Sequence, residues 1–397
     1  MAKIVLISNY LNHYQLPFSL KMCELTNDNF YFVSQKAISE KRISLGFRNL
    51  SDENDFVVKT YEGEAEKNRA HKIIMDADYA IFGGNSRLDE YVIDRIKQNK
   101  MTFEYSERLN KRVPSKTLWV KKYINMLIHR VVHKNKPLYL LCTGAYVAGD
   151  FNEFNMYQNK AYKWGYFPKF IEHDINEMIE NKQNDYVTLV WAGRMIDWKH
   201  PDDVIKLAIN LKDEGYKFKI KLVGNGELED NLKEMINDNN LQDCVVMTGS
   251  MPPEKVREQM ETSNIYLFTS DYQEGWGVVL NEAMNSGCAC VASHAPGSTG
   301  YLIDHMKNGI IYESGNFEDL YSKVKMLIEN REMRNELGIN AYNTIKNTWN
   351  ADVAAERFLV LAKELGEGND TPFNNGPCSK AEPLSNDKMF KRLVEND

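Results

Sequence analysis

Apolar residues in this chain come in short runs separated by amphipathic stretches. In the first half the runs fall at 4–8, 30–33, 56–59, 79–82, 101–105 and 138–142; the second half restarts at 187–192, 219–223, 245–248, 265–269 and 289–292. Runs this short, bounded by polar turns, predict buried strands, and the helical-period segments between them predict crossover helices of a parallel sheet. Helices are expected at 201–214, 228–239, 253–262 and 278–285, with a last one at 351–365. Pro201 followed by Asp202 and Asp203 marks a helix first turn, with acids placed for the helix dipole. The alternation breaks at Tyr166-Phe167-Pro168. Two domains are therefore expected, 1–168 and 169–348, followed by a terminal helix at 349–366 and a flexible tail at 367–397 rich in Gly, Pro, Asn and charge.

Ligands of doubly wound sheets collect beyond the carboxyl ends of the strands. Several first-half strands end in residues that suit such a rim: Asn9, Gly83-Gly84-Asn85, Ser106-Glu107 and Thr143-Gly144. These are expected to line one cleft.

Composition changes this picture little. A chain of 397 residues with 43% hydrophobic and 26% charged residues is an ordinary globular protein with room for two cores. The formal charge of -7 argues against broad nucleic-acid binding. Six scattered cysteines without a Cys-x-x-Cys pair fit reduced thiols and give no zinc signature. The first apolar run is too short for a signal peptide, and no run reaches membrane-spanning length. A cytoplasmic protein is the expectation, with any membrane contact peripheral.

The chemistry concentrates in the second half. Glu274-Gly-Trp-Gly-Val-Val-Leu-Asn-Glu282 places two carboxylates around a glycine turn that runs into a helix. The unpaired N–H groups at a helix start suit a phosphate. A ligand with hydroxyls at both ends and phosphates between them matches that layout. The spacing alone would equally suit a solvated helix with two surface acids. Arg194 and Lys199 follow the first strand of this half, in Gly193-Arg194-Met-Ile-Asp-Trp-Lys199, and two cations there can hold a diphosphate. Val223-Gly224-Asn-Gly226 follows another strand and reads as a glycine turn, for close approach of a ligand or simply to join strand to helix. Thr248-Gly249 would wall a base.

Other motifs read more plainly. Asp76-Ala-Asp78 has metal-diphosphate spacing but precedes its strand, so a helix-to-strand turn is expected. His129 and His133 share a helix face without the acid a zinc protease needs, and belong to a basic stretch. That stretch, 108–136, interleaves Lys and Arg with Leu118, Trp119, Tyr123 and Met126. It reads as a surface helix packed on its own domain, with peripheral contact on an anionic membrane as the alternative.

Taken in order, Gly193-Arg194 with Lys199, Val223-Gly-Asn-Gly226, Thr248-Gly249, Glu274 to Glu282 with Ala283-Met284, Gly287, Val291-Ala292 and Asn308-Gly309 resemble the family 4 retaining glycosyltransferases. The resemblance implies the GT-B fold, two Rossmann-like doubly wound parallel-sheet domains facing a central cleft. It implies that Arg194 and Lys199 bind the donor diphosphate, that Glu282 holds the ribose and that Glu274 holds the donor sugar. Gly193, Gly224, Gly226, Thr248 and the loop Gly275, Trp276, Gly277, Val278 and Val279 would complete the donor site. No metal or cofactor is implied. The donor would be a nucleotide-diphosphate sugar, UDP-linked on family frequency, and the acceptor a glycan or lipid-linked saccharide. The first half departs from the family, since the loop after its first strand reads Asn9-Tyr-Leu-Asn-His13-Tyr-Gln without a glycine pair. His13, Glu107, Thr143 and Gly144 are acceptor-side candidates by rim position. A nucleotide-sugar epimerase of similar fold and a non-catalytic nucleotide-sugar-binding protein are the alternatives.

Overall fold

The structure, a computed structural model, describes residues 1–40, 43, 48–83, 89–109, 111, 134–383 and 386–395. The chain divides into two units, Met1–Lys169 with Trp349–Asn386, and Phe170–Thr348 with Asp387–Asp397.

The first unit holds seven parallel strands: β1 (Ile4–Ser8), β2 (Phe30–Ser34), β3 (Val57–Lys59), β4 (Tyr79–Gly83), β5 (Thr102–Ser106), β6 (Leu138–Thr143) and β7 (Ala161–Trp164). Their order is β3-β2-β1-β4-β5-β6-β7. The second unit holds six: β8 (Val187–Ala192), β9 (Phe218–Val223), β10 (Val245–Gly249), β11 (Ile265–Phe268), β12 (Ala289–Ser293) and β13 (Ile310–Tyr312), in the order β10-β9-β8-β11-β12-β13. Both are Rossmann-like sheets with every strand pairing parallel. The central strands β1, β8 and β12 are buried at every position, as sheets covered on both faces require.

Each expected strand forms within a residue or two of its expected bounds. β7 and β13 were not anticipated. β7 is short and alternates with polar residues, and β13 has only three residues, so neither makes a run that stands out. The helix Ala351–Gly366, capped by the Asn350 side chain accepting from Val353 N at 2.9 Å, packs on the helix Leu16–Thr26 of the first unit. Its Phe358 meets Phe103 of β5 edge-on at 4.9 Å.

The flexible tail requires correction. Residues 378–381 run antiparallel along β7: Cys378 N donates to Lys163 O (2.8 Å), Lys163 N to Ser379 O (2.7 Å) and Ala381 N to Ala161 O (3.0 Å). Tyr162 OH adds a bond to Asp370 (3.0 Å). The backbone of a segment whose composition suggested a loose tail instead satisfies an open sheet edge, which otherwise presents unpaired backbone groups. The helix Asn386–Glu395 belongs mostly to the second unit, with Phe390 5.0 Å from His294.

Candidate active site

In the second sheet the strand order reverses between β8 and β11, so the chain departs in opposite directions from these neighbours. The loops that follow them leave a crevice at that point. The loop after β8 carries Arg194 and Lys199; the loop after β11 carries Glu274. The Lys199 ammonium is paired with Glu274 Oε2, and the two side chains are only 11% and 16% exposed. Ser270 Oγ donates to the same oxygen at 3.4 Å. Lys199 Nζ also lies 4.8 Å from the centre of the Trp198 ring, and the Arg194 guanidinium lies 5.9 Å from that ring. Arg194 is exposed and has no ion-pair partner among the described residues. Gly193 leaves room for the lysine stem: a Cβ there would sit 3.2 Å from Lys199 Cδ.

From Glu274 the chain turns through Gly275, Trp276 and Gly277 into the helix Val279–Asn285. Gly277 has φ +84°, and a Cβ would approach Phe268 Cζ to 2.2 Å, so no other residue fits this turn. The Trp276 side chain is buried and its Nε1 donates to Asn281 Oδ1 at 2.8 Å. Its indole anchors the loop, which leaves only its backbone to face a ligand. The N–H groups of Gly275, Gly277 and Val278 donate no hydrogen bond among the described residues. The helix is not a solvated surface element, because Leu280 to Asn285 are all buried.

Glu282 is among them, and burial pushes its carboxyl up to about 7 against the pull of the Arg257 guanidinium, while Glu254 adds to the rise. Arg257, itself buried, donates to Asn285 Oδ1. The Asn285 amide also accepts from Ile171 N and donates to Ile171 O, both at 2.9 Å. Sequence reasoning passed over Arg257 and Asn285. Arg257 stands among Glu254, Lys255 and Glu258 on a polar helix, and nothing local marks it as the one that turns inward.

Gly224 and Gly226 permit a close backbone approach. A Cβ at Gly224 would lie 1.9 Å from Gly193 O, and one at Gly226 2.4 Å from Met195 O. What they admit is the loop after β8, stitched to theirs by Gly193 N to Val223 O (3.0 Å), Met195 N to Asn225 O (2.8 Å) and Leu228 N to Met195 O (3.0 Å). Thr248 sits at a register shift between β10 and β9, its hydroxyl donating to Leu222 O at 3.3 Å.

Residues 172–344, which contain all of this, match the family model described as Glycosyl transferases group 1. That region is therefore similar to the group 1 glycosyltransferases. An uncharacterized glycosyltransferase of Methanocaldococcus jannaschii is 32% identical over 191 residues, covering 48% of each chain. The poly(ribitol-phosphate) alpha-N-acetylglucosaminyltransferase of Staphylococcus aureus is 31% identical over 172 residues, 43% of this chain and 34% of that one. The chain thus spans about half or less of the length of these curated relatives. In fold the likeness extends further. The crystal structure of Anabaena HepE in complex with UDP aligns over 92% of this chain and 99% of that one, with a TM-score of 0.65 at 14% identity. The two Rossmann-like units are those of the GT-B fold.

Outside the matched region, the first-unit candidates fall into two groups. His13 lies edge-on to Tyr14 (5.0 Å), Tyr14 against Tyr166 (4.6 Å), and Tyr166 OH donates to Glu107 Oε1 at 3.0 Å. Glu107 Oε2 also takes the Lys111 ammonium. Thr143 and Gly144, at the end of β6, are separate: Thr143 is fully buried and Gly144 turns the chain with φ +125°. Arg108, read as part of a basic face, is instead buried against Asp150 at 3.5 Å and stacks 4.5 Å from the Tyr146 ring. A guanidinium there is kept inside by its carboxylate and aromatic partners. The rest of that stretch, 110 and 112–133 with His129 and His133, lies outside the described residues, as do Gly84 and Asn85. Asp76 ends a helix and Asp78 accepts from Lys3 N at 2.8 Å, the turn expected of them. Among the described residues no three His, Cys, Asp or Glu side chains gather as a metal site requires, and no helix is long and apolar enough to cross a membrane.

Proposed function

We propose that this protein is a glycosyltransferase of family 4, retaining and metal-independent. It would move a sugar from a nucleotide-diphosphate sugar to a glycan or lipid-linked acceptor. The observation that carries the reading is the meeting of Lys199 and Glu274 at the reversal of the second sheet, with Arg194 exposed over the same indole. An ammonium has three donors and Glu274 takes one, so two are left for phosphate oxygens. Lys199 and Arg194 hold the diphosphate and stabilise the charge it gains on leaving. The N–H groups of Gly275, Gly277 and Val278 donate to the same group or to the sugar. Glu274 Oε1, which takes no protein donor among the described residues, accepts the donor-sugar hydroxyls. Glu282 accepts the ribose hydroxyls. UDP as the nucleotude carrier is supported by the HepE complex with UDP.

The anomeric carbon–oxygen bond to phosphate breaks and the acceptor oxygen bonds to the same face. The acceptor proton passes to the departing phosphate oxygen. His13 and Glu107, with Tyr14 and Tyr166 beside them, are the acceptor-side groups, and Thr143 and Gly144 support the rim. Peripheral contact with an anionic membrane through the stretch 108–136 is the lesser reading of that stretch, behind a surface helix packed on its own domain.

Calorimetry with nucleoside diphosphates, followed by mass spectrometry of candidate sugars, identifies the donor. With it, Lys199→Ala and Arg194→Ala lower turnover by roughly 10²–10³, as for removal of one well-aimed donor to a developing charge. Wild-type turnover in either variant would remove the assignment. NMR of the product's anomeric configuration decides retention, and product formed from donor alone would mark an epimerase.

A further inference from the structure

The loops that bring Lys199 and Glu274 together are joined by a chain of hydrogen bonds running out of the core. The buried Trp191 indole of β8 donates from Nε1 to Thr269 Oγ1 at 2.9 Å. The same hydroxyl donates to the carbonyl oxygen of Lys199 at 2.5 Å. One step outward, Asp271 N donates to Trp198 O at 3.0 Å. The Asp271 carboxylate in turn caps Gln273 N at 2.7 Å and lies 3.7 Å from His200 Nε2. Thr269 is the first residue beyond β11 and is only 2% exposed. It touches the backbone of the lysine rather than the space a ligand would fill.

A hydroxyl has one proton to give and lone pairs to receive with. Here the indole N–H occupies the receiving side, which leaves the proton aimed at Lys199 O. That carbonyl closes the short 3₁₀ turn Asp197–Lys199, just before His200 enters the left-handed region at φ +47°. The turn's own hydrogen bonds, Lys199 N to Ile196 O and His200 N to Asp197 O (both 3.0 Å), fix its shape but not its place beside the sheet. The fixed points are the bonds to the loop after β11: Thr269 to Lys199 O and Asp271 to Trp198 O.

We propose that Thr269 is a positioning residue, its hydroxyl holding the main chain at Lys199 against β11 and so setting where the Lys199 ammonium stands. The inference rests on the role of Lys199 given above. Trp191 orients the hydroxyl, and Glu274 then receives an ammonium already delivered to its place.

The test measures calorimetric affinity for UDP, GDP, ADP and inorganic pyrophosphate in the full-length protein, taking the tightest binder as the probe. Lys199→Ala weakens it by about tenfold or more, the loss of a charge-assisted hydrogen bond. Thr269→Ala weakens it by about threefold to tenfold, part of the same bond being lost through misplacement. Thr269→Ser keeps the hydroxyl and stays within about twofold of wild type. In the double variant Thr269→Ala with Lys199→Ala, the threonine change adds nothing, because it acts through the lysine. Thr269→Val repeats the loss with shape preserved; if it fails to fold, the Ala and Ser pair carries the test.

Wild-type affinity in Thr269→Ala beside a weakened Lys199→Ala would overturn the positioning role alone. So would equal losses in Thr269→Ala and Thr269→Ser, or a full additional loss in the double variant, since both would point to packing. Wild-type affinity in Lys199→Ala, or no binding of any probe, would remove the diphosphate reading itself and the inference with it.

Discussion

The two sheets reverse in the same way and are finished with opposite chemistry. Beyond β8 and β11, Arg194, Lys199 and Glu274 gather on two loops, the first of them pressed backbone to backbone against the loop after β9, where Gly224 and Gly226 leave room for it. Beyond β1, where the first sheet reverses, the described residues form a neutral network held by side chains. Gln15 Nε2 donates to Tyr105 OH (2.7 Å) and Ser8 Oγ (3.1 Å), and Asn12 Nδ2 donates to Gln15 Oε1 (2.7 Å). Asn12 Oδ1 accepts from Gln15 N at 3.1 Å, doing with an amide what a tight glycine turn does in the other unit. Topology therefore fixes where a site stands, while the loop residues decide what it holds. On the reading proposed above, the charge at the second reversal suits a phosphate, and the tyrosine and amide groups at the first suit a neutral, hydroxyl-rich molecule.

The sharpest break in that comparison is steric. Gly224→Ala drives a Cβ to 1.9 Å from Gly193 O at φ +131°, where neither backbone has room to retreat. The loops after β8 and β9 must separate, at about 3–5 kcal/mol. Denaturant unfolding of the variant gives the loss directly. A variant as stable as wild type would mean that the backbone contact is not what holds the charged reversal together.

A second difference is in pH. The buried Glu282 carboxyl titrates at about 7 in the folded chain, above its ordinary value near 4.5. Between those values the unfolded chain releases its proton and the folded chain keeps it. Stability therefore falls as pH rises through that window and levels off above it. Glu282→Gln has no such proton to hold. Its stability relative to wild type rises from pH 5 to pH 8, by at most about 3 kcal/mol. Urea midpoints at the two pH values measure it, and a flat difference would contradict a buried, ionisable Glu282. The network at the first reversal contributes no slope there, since burial keeps Tyr105 neutral to about 12.

The sequence carried these two reversals unequally. Strand positions were legible because a buried parallel strand must be apolar along its length, and β8 is apolar in five of six residues. Lys199 and Glu274 were legible as charges leaving strand ends. Their pairing was not, since it depends on which strands are neighbours, and 75 residues separate the partners. Thr269 and Asn285 gave no signal, because a hydroxyl or amide becomes informative only when its partner is known. The tail misled for a related reason: polarity describes the side chains of 378–381, whereas the backbone of that segment does the pairing with β7.

The smallest expected effect separates the two reversals most cleanly. Tyr105→Phe deletes a phenol that accepts from Gln15 and stands 3.1 Å from Ser8 Oγ, leaving the ring packed over Gly83. Gln15 keeps its bond to Ser8, so one polar partner is lost rather than a whole network. The expected cost is about 1–2 kcal/mol in denaturant unfolding. Nucleoside diphosphate affinity, which the proposed site assigns to charges in the other unit, stays within about twofold, less than the loss of one hydrogen bond. Should affinity fall together with stability, the neutral reversal would be contributing to nucleotide binding, and the division of labour between the two sheets would have to be redrawn around Tyr105 and Gln15.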